Sequence, residues 1–281
     1  MSKSPKVKII DCPRDAIQGI ETFIPTEKKI NHINNLIRSN LFEYIDFGSF
    51  VSSKAVPQMQ DTDSVIQVIE KVNNTKLLAI IANLKGAEIA NKYRKLDYLG
   101  YPFSISETFQ QRNTNASVEK SYETVQDILA LLGDSNQELV VYISMAFGNP
   151  YGDAWDEEQV LKWLFKLQNL GIKRFSIADT TGEASAKLVN NLFKLINYEF
   201  PDLNLSIHLH SRQEDALEKI DAAYEAGCTR FEGAILGYGG CPFAQDDLLG
   251  NISTELLLDK FGIGKDIDIN KLKISFFDTI T

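Results

Sequence analysis

The chain has 281 residues, 44% of them hydrophobic and 24% charged, with a formal net charge of −9. That length holds one large domain or two ordinary ones, and the composition is that of a soluble globular protein. The acidic balance speaks against nucleic-acid binding, which needs clustered Lys and Arg, and no apolar run approaches the ~18 residues of a membrane span.

Met1 to Lys8 is polar and basic, with no apolar stretch after it, so no secretory signal is expected. Cys12, Cys228 and Cys241 are widely separated and form no CxxC pair, which fits a reducing, cytoplasmic compartment. Lys6 to Cys12 reads as a strand that Pro13-Arg14-Asp15 breaks. Thr26 to Asn40 has helical spacing, and Glu43 to Phe47 is a second strand. Asp61 to Val72 is helical. Lys76 to Ala82 is almost wholly apolar, as expected of a strand buried on both faces. A helix over Lys85–Lys95 leads to a strand within Asp97–Ser106, then a helix over Ser117–Leu132 and a strand over Glu138–Phe147. Asp156–Leu170 is helical, with Gly171 as its stop, and Arg174–Ala178 is the sixth strand. A helix over Ala184–Tyr198 precedes the seventh strand, Leu203–His210. Glu214–Ala226 is helical, Thr229–Leu236 is the eighth strand, and a last helix runs from about Ser253 to Phe261. Such alternation implies parallel strands joined by right-handed crossovers. Eight repeats of about 30 residues fit a closed (β/α)8 TIM barrel as one catalytic domain. A doubly wound open sheet would need a Gly-rich phosphate turn after the first strand, and Pro13-Arg14-Asp15 is not one. The short extension from about residue 265 is expected to cap an end or contact a partner.

The seventh strand alternates strictly. Leu203, Leu205, Ile207 and Leu209 fall on one side; Asn204, Ser206, His208 and His210 fall on the other. Two of the chain's three histidines therefore project together from a strand end. In barrels of this kind, chemistry sits where strands end and βα loops begin. Arg14, Asp15 and Gln18 follow strand one, and Asp46 lies in strand two between apolar neighbours, where an unpaired carboxylate is rarely tolerated. Asp179 ends strand six and suits either a site role or the N-terminus of the next helix. Strand eight leads to Gly239-Gly240-Cys241 and on to Asn251. Two imidazoles with a carboxylate and an amide oxygen suit an exchangeable divalent ion, Mg²⁺, Mn²⁺ or Co²⁺, better than a closed thiolate zinc site.

These residues carry a resemblance. Cys12 to Gln18 (CPRDAIQ) resembles the GPRDGLQ opening of 3-hydroxy-3-methylglutaryl-CoA lyases, and Ser49 to Met59 (SFVSSKAVPQM) is similar to their SFVSPKWVPQM. Ser176 to Gly182 (SIADTTG) resembles SLGDTIG, and Gly239 to Asn251 matches both ends of GGCPYAQGASGN. The similarity runs from about residue 6 to 262. It implies a divalent cation, usually Mg²⁺, an acyl-CoA substrate, and cleavage of 3-hydroxy-3-methylglutaryl-CoA into acetyl-CoA and acetoacetate. Family members are commonly dimers, so a homodimer is also implied. By motif match, Asp15, His208, His210 and Asn251 would ligate the metal. Arg14 would stabilise the enolate, Cys241 would be the acid/base thiol on a mobile loop, and His208 would take part in proton transfer. Asp179 stands at the family's active-site aspartate and Asp46 at its strand-two glutamate, while Gln18 and Ser176 would join Arg14 in binding substrate.

The chain also departs from the pattern. Asp46 is one methylene shorter than the family's glutamate, and Ala16 replaces a glycine. HxHDT reads His208-Leu209-His210-Ser211-Arg212, and the Pro242–Gly250 loop is one residue longer. Two other readings share parts of this pattern. An acyl-CoA condensing enzyme would keep Arg14-Asp15 and the HxH pair, and a catalytically dead barrel would show gaps among the rim residues. A lyase acting on a related 3-hydroxyacyl-CoA is the variant nearest to the main reading.

Overall fold

The computed structural model describes residues 6–71, 74–239 and 249–281. β1 (Lys8–Asp11) pairs in parallel with β2 (Phe42–Ser49) on one side and with β8 (Arg230–Gly233) on the other. Between them run β3 (Lys76–Ile80), β4 (Tyr98–Ser104), β5 (Glu138–Ser144), β6 (Arg174–Asp179) and β7 (Asn204–Leu209), closing the barrel in chain order. The expected TIM barrel is therefore present. Parallel neighbours cannot be joined by hairpins, so each crossover carries helix.

These helices are α1 (Pro13–Ile17), α2 (Thr26–Ser39), α3 (Thr62–Val68), α4 (Leu84–Ala90), α5 (Glu107–Thr114), α6 (Val118–Leu132), α7 (Glu157–Gln168), α8 (Ala186–Glu199), α9 (Ala216–Glu225), α10 (Thr254–Phe261) and α11 (Ile269–Ile280). Side chains of Ser117, Asp156, Ser185 and Ser253 accept backbone N–H groups at the starts of α6, α7, α8 and α10. No helix among the described residues is long and apolar enough to cross a membrane.

Strand alternation sorts the core into two shells. Ile9, Ile45, Leu77, Leu99, Val141, Ile177, Ile207 and Phe231 point outward and pack under the helices. Ile10, Cys12, Tyr44, Leu78, Ile80, Tyr98, Val140 and Tyr142 form a smaller apolar cluster inside the barrel. The seventh strand divides as its sequence predicts: Leu205, Ile207 and Leu209 join the outer shell, and Ser206 and His208 face in. The C-terminal extension becomes α11, which packs on α2. His32 of α2 meets Phe276 edge-on at 5.4 Å and Ser275 Oγ at 3.2 Å, and Tyr238 meets the same phenylalanine at 5.2 Å.

Candidate active site

The site starts with α1. The Pro13 that reads as a strand breaker occupies the first turn of this helix, where a missing N–H costs nothing. The turn carries Arg14 and Asp15 over the barrel mouth. Arg14 is tied down on all sides. Its Nε donates to Asp46 Oδ2 at 3.0 Å, Nη2 donates to the same carboxylate, and Nη1 donates to Asp15 Oδ1 and Gln18 Oε1, both at 3.0 Å. A guanidinium offers five N–H donors. Four are engaged here, which leaves one Nη2 hydrogen free among the described residues.

Asp15 collects the metal-binding candidates. Its Oδ1 also accepts from Gln18 Nε2 at 2.8 Å, and its Oδ2 accepts from Asn251 Nδ2 at 2.7 Å. Burial alone would raise its pKa. Arg14, the two imidazoles and the Asn251 amide outweigh burial and hold it at about 2. Asp46 is pushed the other way, to about 6, because its burial outweighs the pull of Arg14.

The histidines arrive from β7, and their tautomers are set by what stands behind them. His208 Nδ1 lies 3.1 Å from Glu232 Oε2, so Nδ1 carries the proton. His210 Nδ1 lies 3.2 Å from the Leu249 carbonyl, so it too is the donor. Each ring is left with a bare Nε2, and the two Nε2 atoms stand 3.0 Å apart. Two lone pairs at that distance repel unless a cation or proton lies between them. The spacing equals that of two cis ligands held about 2.1 Å from an octahedral ion. Burial and its neighbour His208 lower His210 to about 4, so this ring is a neutral ligand at pH 7. Burial also opposes charge on His208, but the hydrogen bond to Glu232 and its charge outweigh it and raise the pKa.

Asn251 completes the set. Residues 250–252 run beside the end of β7, with Asn251 bridged to His210, Ser211 N donating to Gly250 O at 3.0 Å and Ile252 N donating to Leu209 O at 3.3 Å. Asn251 Nδ2 also donates to Tyr238 O at 2.8 Å, while its buried Oδ1 has no partner among the described residues. Ligand atoms of Asp15, His208 and His210 lie within 4.8 Å of one another. The orphaned amide oxygen, the two facing lone pairs and the ionised carboxylate fit a divalent cation. Gly239 makes this approach possible. At φ +108°, a Cβ there would lie 2.5 Å from Asn251 Nδ2 and 2.8 Å from Asp15 O.

Arg14, Asp15, Gln18, Asp46, His208, His210 and Asn251 thus come together at one end of the barrel. Ser176 lies deeper, fully buried in β6 and level with Ser206, close to Glu232. Asp179 is not in this group. It points to the outer side of β6, where it accepts from Ala184 N at 3.2 Å and from Lys219 Nζ at 3.2 Å. Cys241 lies outside the described residues.

Two residues that sequence reasoning passed over support the site. Glu232, on β8 beside His208, accepts from Ser206 Oγ at 2.6 Å as well as from His208. Its burial is outweighed by these donors, so its pKa is lowered and it stays ionised. The signal was available: Glu232 sits between Phe231 and Gly233 in a buried strand, the same argument that singled out Asp46. Lys219 of α9 is 5% exposed and donates to Asp179 Oδ2, to Gly182 O at 2.7 Å and to His210 O at 3.1 Å.

A (β/α)8 barrel with an imidazole, carboxylate and amide set at one mouth, beside a pinned arginine, defines a class of barrel enzymes built for a divalent metal. Residues 6–272 match the family described as HMGL-like, and the chain belongs to that family. It is similar to the mouse mitochondrial hydroxymethylglutaryl-CoA lyase, with 30% identity over 279 residues, 97% of this chain and 84% of the relative. The Bacillus subtilis hydroxymethylglutaryl-CoA lyase YngG is 31% identical over 263 residues, 92% of this chain and 87% of the relative. The structure of an HMG-CoA lyase from Acinetobacter baumannii, in complex with coenzyme A and 3-methylmalate, matches with a TM-score of 0.89 at 31% identity, over 98% of this chain and 90% of that one.

Proposed function

We propose that this protein cleaves 3-hydroxy-3-methylglutaryl-CoA to acetyl-CoA and acetoacetate with a divalent cation, Mg²⁺ by preference. The observation that carries the reading is the pair of bare Nε2 atoms 3.0 Å apart, flanked by Asp15 and the orphaned Asn251 oxygen and adjoining Arg14. The family membership and the lyase relatives support the substrate, and the coenzyme A bound to the Acinetobacter relative supports the acyl-CoA class. The relatives named above are lyases, so the condensing-enzyme alternative is not carried forward.

In this reading Asp15, His208, His210 and Asn251 hold the cation. When bound, it supplies Lewis acidity that lowers the pKa of a substrate hydroxyl and fixes its orientation. The protein's own groups do the rest. The proton that leaves the C3 hydroxyl is assigned to His208 Nε2, which would be free to take it only while Asp15, His210 and Asn251 hold the cation, and Glu232 behind Nδ1 would stabilise the resulting imidazolium. As the C2–C3 bond breaks, its electron pair passes to C2 and into the thioester enolate. Arg14, held by Asp46 and Asp15, opposes that negative charge where it develops, and its free Nη2 hydrogen is available to the enolate oxygen. Cys241, assigned by motif match, returns a proton to C2. Gln18 steadies both Arg14 and Asp15. Asp179 supports the loops behind the site through Lys219. A homodimer and a cytoplasmic location belong to the same reading, the first supported by the family resemblance and the second by the unpaired Cys12 and Cys228 thiols.

The test is direct. Protein stripped with chelator and resupplied with Mg²⁺ or Mn²⁺ should release acetoacetate from 3-hydroxy-3-methylglutaryl-CoA. Turnover of a different 3-hydroxyacyl-CoA in its place would move the substrate assignment. Equal turnover with and without chelator would overturn the metal assignment.

A further inference from the structure

β5 delivers an aromatic residue to the cavity for which the reaction outlined above has no task. Tyr142 lies level with Pro102 on β4 and Ser176 on β6, and it lines the same cavity as Arg14, Asp15, His208 and His210. Its hydroxyl is buried and has no partner among the described residues. Of the neighbouring floor hydroxyls, Ser206 Oγ and Tyr44 OH both donate to Glu232, at 2.6 and 3.5 Å, while Ser176 Oγ, level with Tyr142, shares its lack of a partner among the described residues. A buried hydroxyl without a partner is costly, and folded chains keep few of them away from functional sites.

The ring, by contrast, is well seated. It stands edge-on to His208, with centroids 6.3 Å apart and planes at 83°. Gly100 on β4 clears the space beside it. A Cβ at that position would lie 3.0 Å from Tyr142 Cε2 and 2.5 Å from Ile80 Cδ1. The barrel thus gives up a side chain to seat a tyrosine whose polar end it leaves unsatisfied. Burial, with the negative charges of Glu232 and Asp46, drives the phenol pKa well up, so the group remains a neutral O–H donor.

We propose that the Tyr142 hydroxyl is a substrate contact, donating a hydrogen bond to an acceptor oxygen of the acyl group as it lies between Arg14 and His208. The location selects the acyl end over the nucleotide. The hydroxyl is buried inside the barrel, on a ring that stands against His208 in a cavity also lined by Ile80 and Ala82, and a nucleotide's charges call for solvent. The inference rests on the acyl-CoA lyase reading, and it assigns to that reaction a donor that neither the motifs nor the metal set includes.

Tyr142→Phe removes the oxygen and keeps the ring. With saturating Mg²⁺, kcat/KM for 3-hydroxy-3-methylglutaryl-CoA should fall at least tenfold, and calorimetric affinity for 3-methylmalate, an acyl-like hydroxydiacid, should fall by a similar factor. Affinity for free coenzyme A and for Mn²⁺ should stay within twofold of the unsubstituted protein. The thermal midpoint of the ligand-free variant should be unchanged or higher, because an unsatisfied hydroxyl has been removed. Unchanged turnover and unchanged 3-methylmalate affinity would overturn the proposal. So would a lowered midpoint with both ligand affinities intact, since the hydroxyl would then be bonded within the free protein. An unsubstituted protein silent on the thioester, yet losing 3-methylmalate affinity on Tyr142→Phe, would sink the lyase reading and leave this contact standing.

Discussion

Glu232→Gln isolates what stands behind the metal-facing histidine. In the native site, Oε1 accepts from Ser206 at 2.6 Å and Oε2 accepts from His208 Nδ1 at 3.1 Å. A glutamine has one acceptor and one donor at these positions. If its nitrogen faces His208, the imidazole must move its proton to Nε2 and lose the lone pair that points at His210. If its nitrogen faces Ser206, the hydroxyl can rotate to accept, and His208 keeps a neutral and weaker acceptor. Hydrogen bonds to charged groups contribute about 1.5–3 kcal/mol. Loss of such a partner behind a metal-ligating histidine typically costs about 10–100-fold in metal affinity. These ranges agree, since tenfold is about 1.4 kcal/mol. Calorimetric titration of Mn²⁺ into chelator-stripped protein should therefore give a dissociation constant raised at least tenfold, with His210→Ala as the control for loss of a ligand. A Glu232→Gln constant within twofold of the native value would refute the claim that Glu232 fixes the His208 tautomer.

Three further substitutions probe the frame. Lys219→Met leaves the Asp179 carboxylate buried and unpaired, and breaking such a pair costs about 3–5 kcal/mol; urea unfolding should show that loss, and Lys219→Met/Asp179→Asn should recover part of it. Gly239→Ala drives a Cβ into Asn251 Nδ2 and Asp15 O, so Mn²⁺ affinity should drop while far-ultraviolet circular dichroism is unchanged; native affinity would show that the approach is not needed. His32 supplies a pH dependence. Burial lowers its pKa from 6.5 to about 3, so the unfolded chain takes up a proton below pH 6.5 that the folded chain refuses. The stability associated with neutral His32 is complete above about pH 6.5 and is lost progressively as pH falls towards 3, by about 2 kcal/mol at pH 5. His32→Phe should flatten that slope in denaturant titrations, and an unchanged slope would assign it to other groups.

Most of the barrel was legible because its signals are local. The alternation in Leu203–His210 and the apolar run Lys76–Ala82 follow from the two-residue period of a strand, which no distant contact can alter. Three helices escaped notice for physical reasons. α1 is five residues long and starts at a proline, which ends a strand and opens a helix equally well. α5 buries only Phe109 and Gln110, so it shows no apolar stripe. α11 leaves Ile274 and Phe277 exposed while burying Leu272, Phe276 and Thr279, which blurs its pattern. Its partner is α2, joined to it by His32 and Phe276, a pairing of residues far apart in the chain that periodicity does not encode.

The site divides along the same line. Asp15, His208 and His210 announce themselves because their spacing puts ligand atoms at the ends of strands. Glu232 and Lys219 do not, because a search of strand ends finds groups that face a ligand and overlooks groups that face those groups. Yet the supporting residues decide what the exposed ones can do. Two histidines on one strand face would otherwise choose their tautomers freely. Glu232 on one side and the Leu249 carbonyl on the other take both Nδ1 protons, and only then do two lone pairs converge. The HxH pair supplies the nitrogens; the cation preference comes from the acceptors behind them, one of which is a buried carboxylate held ionised by Ser206 and His208 itself. A barrel that kept both histidines but replaced Glu232 with an apolar residue would keep the motif and lose the orientation that makes it a ligand pair.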